Sequence, residues 1–118
     1  KILHVTPAYY PAVYWGGPVF SSFHLNNALS QYDGVDIKVL TVDAAGTEAS
    51  KRLKKSDIES IQFPYEVIYA YRLKDPAISL ELTRLMPSMV RWADIVHLNA
   101  TYPYPTLPTL FFSYIYNK

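Results

Sequence analysis

Residues 7–18, Pro-Ala-Tyr-Tyr-Pro-Ala-Val-Tyr-Trp-Gly-Gly-Pro, lie between two segments of different hydrophobic periodicity. The apolar run that precedes them, Ile2 to Val5, is typical of a short buried strand. The segment that follows has helical spacing, with apolar residues at i, i+3, i+4 and i+7: Leu25, Ala28, Leu29 and Tyr32. The sequence therefore predicts a strand, an aromatic loop and then a helix that runs from Pro18 to about Tyr32.

The pair Gly16-Gly17 stands where this helix would begin. A helix N-terminus carries unpaired backbone N–H groups and a partial positive charge, and both favour anions such as phosphate. Glycine also lets a ligand approach the backbone where a Cβ atom would block it. A tight strand-to-helix turn needs glycine for its dihedral angles and explains the pair equally well. The sequence leaves both interpretations open, a phosphate site and a tight turn.

The composition restricts the classes of function. The chain has 118 residues and is 50% hydrophobic, which is enough for one small core. Eleven Lys and Arg residues against ten Asp and Glu residues give a formal net charge of +1, so we expect no nucleic-acid partner. There is no cysteine, which excludes disulfides and thiolate metal sites. We expect a cytoplasmic location, or one on the cytoplasmic face of a membrane.

The remaining hydrophobic pattern predicts further strands and helices. The first strand is taken as 1–6, and the others are predicted at 36–42, 66–71 and 95–98. A helix is predicted to open at Asp75-Pro76. Pro87 inside it is expected to produce a kink or a break into two helices, because an interior proline costs roughly 3 kcal/mol. A final helix is predicted with an apolar face made of Leu107, Leu110, Phe111 and Tyr114.

Alternating strands and helices predict an α/β fold with one parallel sheet over residues 1–118. In the common doubly wound arrangement the strand order is 3-2-1-4, and ligands bind beyond the carboxyl ends of strands 1 and 4, where the order reverses. The loops at that point, 7–17 and 99–104, contain rings suited to stacking on sugars: Tyr9, Tyr10, Tyr14, Trp15, Tyr102 and Tyr104. Packing of these rings against a neighbouring domain is the alternative.

A dinucleotide site is the usual alternative for such a fold. It requires Gly-x-Gly-x-x-Gly on a short turn, whereas this loop is long and contains only Gly16 and Gly17. Asp43 lies near the position of a ribose-binding acid, but one acid without the glycine pattern is a weak indication. No His, Asp or Glu cluster has metal-ligand spacing, and His24 and His97 are isolated in sequence.

The strand Lys-Ile-Leu-His-Val-Thr-Pro, the Gly16-Gly17 loop and the strand Ala-Asp-Ile-Val-His-Leu-Asn at 93–99 together resemble the N-terminal domain of family 4 glycosyltransferases. The resemblance covers essentially the whole chain. It implies a GT-B fold of two facing Rossmann-like domains, of which this chain is the incomplete acceptor-side one. It also implies a hexosyltransferase-type reaction, as in polysaccharide biosynthesis. A sugar passes with retention from a nucleotide-sugar substrate to a glycan, lipid-linked or small-molecule acceptor, without a metal or other cofactor.

The resemblance also implies roles for individual residues. Gly16 and Gly17 would face the donor diphosphate, and the acceptor side would be formed by Tyr14, Trp15, Asn99, Tyr102 and Tyr104. In the family the fourth strand often ends in His-x-His, whose second histidine faces the active site. Here His97 matches the first, and Asn99, which is neither acid nor base, occupies the second, so the catalytic residues stay unassigned.

The resemblance places most donor contacts in a C-terminal domain that these residues do not include. We therefore expect the 118-residue chain to show no transferase turnover by itself. Strand 95–98 would be an exposed apolar edge, and such edges promote association, so we expect the chain to self-associate or to need a covering partner. The alternative interpretation is a Rossmann-like binding, interaction or nucleotide-binding domain without chemistry.

Overall fold

The computed structural model describes residues 1–74, 77–99 and 104–118. Its strands are β1 (Ile2–Val5), β2 (Ile37–Val42), β3 (Glu66–Ala70) and β4 (Ile95–Leu98). They form one parallel sheet in the order β3-β2-β1-β4. The predicted α/β class and strand order are confirmed, and each strand begins and ends within one residue of its predicted bounds.

The described residues contain four α-helices, of which three connect consecutive strands and the fourth follows β4. They are α1 (Gly17–Leu29), α2 (Lys55–Glu59), α3 (Leu80–Trp92) and α4 (Thr106–Ile115), with a 3₁₀ turn at Val13–Trp15 before α1. Pro18 is the second residue of α1 rather than the first. The predicted start of the third helix, Asp75-Pro76, lies outside the described residues. The helix begins later, because Ile78 pairs with Lys74 in an antiparallel bridge and the hydroxyl of Ser79 then caps α3 by accepting the Leu82 N–H.

The helix α3 continues through Pro87, so of the two expected outcomes, a kink or a break into two helices, the break is wrong. Proline at this position removes one backbone hydrogen bond, at a cost of roughly 3 kcal/mol. Four side chains of α3 are buried against the sheet: Leu82, Met86, Met89 and Val90. Burying each contributes about 1.5–3 kcal/mol, and together they exceed the cost of the proline.

The buried faces predicted for α1 and α4 are also wrong. In α1 the buried side chains are Val19, Ser22 and Asn26; of the predicted residues Leu29 is half-buried against the core, whereas Leu25, Ala28 and the later residue Tyr32 are exposed. In α4 the buried residues are Thr106, Pro108 and Thr109, and the whole predicted apolar face is exposed. Hydrophobic spacing located both helices correctly, but the side that packs on the sheet is the more polar one.

The side chains of each strand alternate between the two faces of the sheet. One face, here called the α3 face, carries Leu3, Val5 and Leu40, which pack against α3 and the inner side of α4. The opposite face, here called the α1 face, carries His4 and Val39 beneath α1. At the carboxyl end of the sheet Val5 pairs with Leu98, so the loops that follow β1 and β4 begin next to each other.

Candidate ligand site at the carboxyl ends of β1 and β4

The aromatic loop that follows β1 is mostly packed within the chain. Tyr9 is fully buried, and Tyr10 stacks on Phe23 of α1 with ring centroids 4.5 Å apart. The indole N–H of Trp15 donates to the carbonyl of Ala44 at 2.9 Å, which ties the loop to the end of β2. Most of these rings therefore pack within this chain, whereas the packing alternative placed them against a neighbouring domain.

Tyr14 is the ring of this loop that faces solvent, with 62% of its surface exposed. It contacts Trp15 edge-to-face at a centroid distance of 5.1 Å, so its position is set by a neighbour that is itself hydrogen-bonded. A positioned ring with both a free face and a hydroxyl suits stacking on a sugar ring.

The two glycines at the start of α1 differ in whether their backbone conformation requires glycine. Gly16 has φ 72° and ψ −140°, a conformation that side chains rarely adopt, and its N–H donates to the Val13 carbonyl at 3.0 Å. Gly17 has no positive φ, and no atom of the described residues, its chain and helix neighbours aside, lies within 4 Å of the place where its Cβ would stand. The turn therefore explains glycine at Gly16 and does not explain it at Gly17.

Asn99 joins the end of β4 to α1. Its side-chain N–H donates to the hydroxyl of Ser22 at 2.6 Å, and its backbone N–H donates to the Val5 carbonyl at 2.9 Å. The structure thus brings Asn99 to the helix that begins at Gly17. The hydroxyl of Tyr104 instead shares a hydrogen bond of 2.8 Å with Thr83 of α3. Tyr102 lies outside the described residues.

Beneath α1 lies a histidine pair that sequence spacing did not reveal. His4 and His97 are neighbours in the parallel ladder, and their ring centroids are 4.5 Å apart. His4 is fully buried, and burial lowers its pKa to about 4, helped by His97 and opposed by the hydrogen bond to Asn26. His4 is therefore neutral at pH 7, whereas His97 lies exposed beside it. The two rings are 93 residues apart in sequence, and only the strand register could have paired them.

The side chain of Asn26 links His4 to a buried row of polar groups. It lies 3.0 Å from His4 Nδ1 and donates to the Tyr9 hydroxyl at 3.0 Å. The Tyr9 hydroxyl is 2.7 Å from that of Tyr65, which donates to the Asn27 side chain at 2.9 Å. Burial raises the pKa of both tyrosines, so they stay protonated and hold the row together.

A second polar cluster fixes the loop that follows β2. Asp43 accepts the Arg72 backbone N–H at 2.9 Å and the Arg52 guanidinium at 3.2 Å. The buried Arg72 guanidinium donates to the carbonyls of Gly46 at 2.6 Å and Lys51 at 3.1 Å, and also to that of Glu48. Asp43 is thus part of an ion pair that shapes this loop. Arg72, whose backbone N–H donates to Asp43, lies 29 residues further along the chain, so hydrophobic spacing contains no signal for this contact.

The loop fixed in this way faces Tyr14 across an open cavity of about 270 Å³. Its lining residues are Tyr14, Ala45, Gly46, Thr47, Glu48 and Lys51. Together they offer one aromatic face, a hydroxyl, a carboxylate and an ammonium group, which is a set that can bind a polyhydroxylated ligand. The cavity lies between the loops that follow β1 and β2.

Within residues 1–74, 77–99 and 104–118, no three His, Asp or Glu side chains gather in a way that could hold a metal ion. No helix of the described part is sufficiently long and apolar to cross a membrane. A scan against protein-family models, a search of curated proteins and a search of solved structures each found no match to this chain.

Proposed function

We propose that this chain is the acceptor-side part of a glycosyltransferase, with Gly17 facing the diphosphate of a nucleotide-sugar. The reaction class rests on the resemblance of the strands and the Gly16-Gly17 loop to family 4 glycosyltransferases. The observation that carries the location is the space at Gly17, where neither the backbone conformation nor packing against the described part of the chain calls for glycine. A further reason for glycine at this position is that a ligand approaches the backbone closely.

The donor site on this chain consists of backbone rather than side chains. α1 has 13 residues, so its N-terminus carries a partial positive charge. The Gly17 N–H has no backbone acceptor among the described residues, and Pro18 contributes no N–H. One N–H group and a helix dipole bind a diphosphate weakly. The remaining contacts must come from a facing domain, and the chain alone therefore has no turnover.

The acceptor side of the proposed enzyme is the cavity between Tyr14 and the loop that follows β2. Tyr14 stacks on a sugar ring, and Glu48 and Lys51 bind its hydroxyl groups. Arg72 keeps the loop carbonyls engaged and so presents this wall of the cavity in one conformation. The proposal gives Trp15 and Asn99 positioning roles, because each is hydrogen-bonded within the chain.

Amide NMR titration tests the proposal on the 118-residue chain. Nucleoside diphosphates and their sugar conjugates are expected to shift the Gly16, Gly17 and Val19 amide signals, with weak, saturable binding. The matching nucleosides, which lack the diphosphate, should leave these signals in place. Inorganic phosphate is the second control, because an equal response to it would show that the site binds anions in general and not nucleoside diphosphates in particular. No response at Gly17, or an equal response to the nucleoside alone, would contradict the proposal.

A further inference from the structure

The cavity between Tyr14 and the loop that follows β2 contains a lysine whose side chain is held by packing. A Cβ atom added to Gly46 would lie 3.0 Å from the Cβ and 3.2 Å from the Cγ of Lys51, which is closer than ordinary van der Waals contact. The first carbons of the Lys51 side chain therefore lie directly on the Gly46 backbone. Gly46 has no positive φ, so this contact, and not the backbone conformation, accounts for glycine there.

The backbone of Lys51 is fixed as well. Its N–H donates to the Glu48 carbonyl at 2.9 Å, and its carbonyl accepts the Ala45 N–H at 2.8 Å. The same carbonyl accepts the buried Arg72 guanidinium at 3.1 Å. The direction in which the Lys51 side chain leaves the backbone is thus set before a ligand binds, and such preorganisation lowers the entropic cost of binding.

The charge of Lys51 has no partner in the part of the chain that the structure describes. Lys51 belongs to a basic segment, Lys-Arg-Leu-Lys-Lys at 51–55. In this segment Arg52 and Lys55 each pair with a carboxylate, at 3.2 and 3.6 Å. No described carboxylate lies within ion-pair distance of the Lys51 ammonium group. A positioned cation without a counter-charge in an open cavity favours an anionic group.

The second charged residue of the cavity, Glu48, gives such a ligand an orientation. Its carboxylate is likewise outside ion-pair distance of any described cation. It repels an acidic substituent and accepts hydrogen bonds from hydroxyl groups. A sugar stacked on Tyr14 is therefore expected to direct its acidic group to Lys51 and its hydroxyl groups to Glu48.

We infer that the acceptor is a sugar with an acidic group, a carboxylate or a phosphate, and that Lys51 selects it. The inference rests on the proposed function, because it takes this cavity as the acceptor side. An ammonium group has three N–H donors, so Lys51 can bind a ring hydroxyl and an acidic oxygen together. Hydrogen bonds between charged groups are stronger than neutral ones, so Lys51 distinguishes an acidic sugar from a neutral sugar of similar shape.

Amide NMR titration of the 118-residue chain tests the inference with methyl glucuronide, glucose 6-phosphate and the neutral methyl glucoside. The Thr47 and Lys51 amide signals report on the cavity, and low ionic strength limits the screening of charges. At least one acidic sugar should bind at least about threefold more tightly than methyl glucoside, as expected for an exposed pair of charges. The acidic sugar that binds more tightly identifies the group as carboxylate or phosphate. Inorganic phosphate is the control without a sugar.

Three variants test the part played by charge. Lys51→Met keeps the methylene stem on Gly46 and removes the ammonium group, so the preference for acidic sugars should disappear. Lys54→Met is the matched control, because Lys54 is an exposed lysine of the same segment that does not line the cavity. It should keep the preference. Glu48→Gln removes a negative charge and should increase the preference.

A preference for acidic sugars that is lost in Lys51→Met and kept in Lys54→Met supports the inference. It is overturned by equal affinity for acidic and neutral sugars, or by inorganic phosphate that binds as tightly as the acidic sugars. A preference that survives Lys51→Met, falls equally in Lys54→Met or falls in Glu48→Gln also overturns it. Circular dichroism checks the fold of each variant.

Failure of this inference can be distinguished from failure of the proposed function. Equal binding of acidic and neutral sugars would leave the acceptor cavity in place and remove only the role of Lys51 in selecting an acidic group. No response of Thr47 and Lys51 to any of the sugars would overturn both the inference and the acceptor site. The donor site is tested separately, by the response of Gly17 to nucleoside diphosphates.

Discussion

The helices α1 and α4 differ in which of their side chains are buried and which are exposed. α1 places polar side chains against the sheet, and each has a partner there: Asn26 meets His4, and Ser22 meets Asn99. α4 leaves a continuous apolar side in solvent, because no described element of the chain lies over it. In these two helices, therefore, side-chain polarity does not decide which side is buried. What decides is which groups the neighbouring strand offers, and α1 depends on a polar strand residue, His4.

The largest expected effect is a fall in the free energy of unfolding at low pH, caused by the buried His4 under α1. Above pH 6.5 His4 is neutral in both the folded and the unfolded chain. Between pH 6.5 and about 4 only the unfolded chain binds the proton, so the free energy of unfolding falls, by about 3 kcal/mol in total. Urea unfolding at pH 7, 5.5 and 4 measures this loss.

Comparison with variants isolates the contribution of His4 from that of the carboxylates. In His4→Gln the unfolding free energy should depend less on pH over this window. In His24→Gln, which changes an exposed histidine of α1, the pH dependence should match the unmodified chain. An equal pH dependence in all three proteins would show that the burial of His4 does not limit stability.

The next largest expected effect is the difference in unfolding free energy between a variant of α1 and a variant of α4. Asn26→Ala leaves the buried His4 Nδ1 without its partner and removes one partner of the Tyr9 hydroxyl, so a loss of about 2 kcal/mol in unfolding free energy is expected. Leu110→Ala removes a larger apolar group from α4. In dilute, monomeric protein it should change stability by less than about 0.5 kcal/mol. Urea unfolding of the two variants side by side is the measurement, and a larger loss in Leu110→Ala would contradict the comparison.

The sheet was predictable because its signals are local. Apolar runs, turn residues and their alternation with helices determine the four strands, and general rules of α/β topology then give their order. The start of α3 was placed too early because the Lys74–Ile78 bridge is not encoded in hydrophobic spacing. The sides of α1 and α4 that are buried were not predictable, since they depend on contacts between distant residues. Ser22 and Asn99, which meet under α1, are 77 residues apart.

The candidate site was predictable in part for the same reason. The position of the Gly16-Gly17 pair before a helix is local information, and it located the loop. The division of roles between the two glycines needed backbone angles, which the sequence does not contain. The wall formed by the loop after β2 depends on Arg72, whose side chain reaches back 26 residues to the carbonyl of Gly46.

The most direct measurement of the central claim compares Gly16→Ala with Gly17→Val, using melting temperature and nucleoside-diphosphate affinity on the same samples. Gly16→Ala forces a side chain into a strained conformation, so it should lose about 1–3 kcal/mol of stability. At Gly17 the added Cβ has no heavy atom of a described residue within 4 Å beyond its immediate chain and helix neighbours, so Gly17→Val should keep a melting temperature close to that of the unmodified protein. Its affinity should fall at least about tenfold, which corresponds to about 1.4 kcal/mol. A folded Gly17→Val chain that binds the diphosphate as tightly as the unmodified chain would contradict the account.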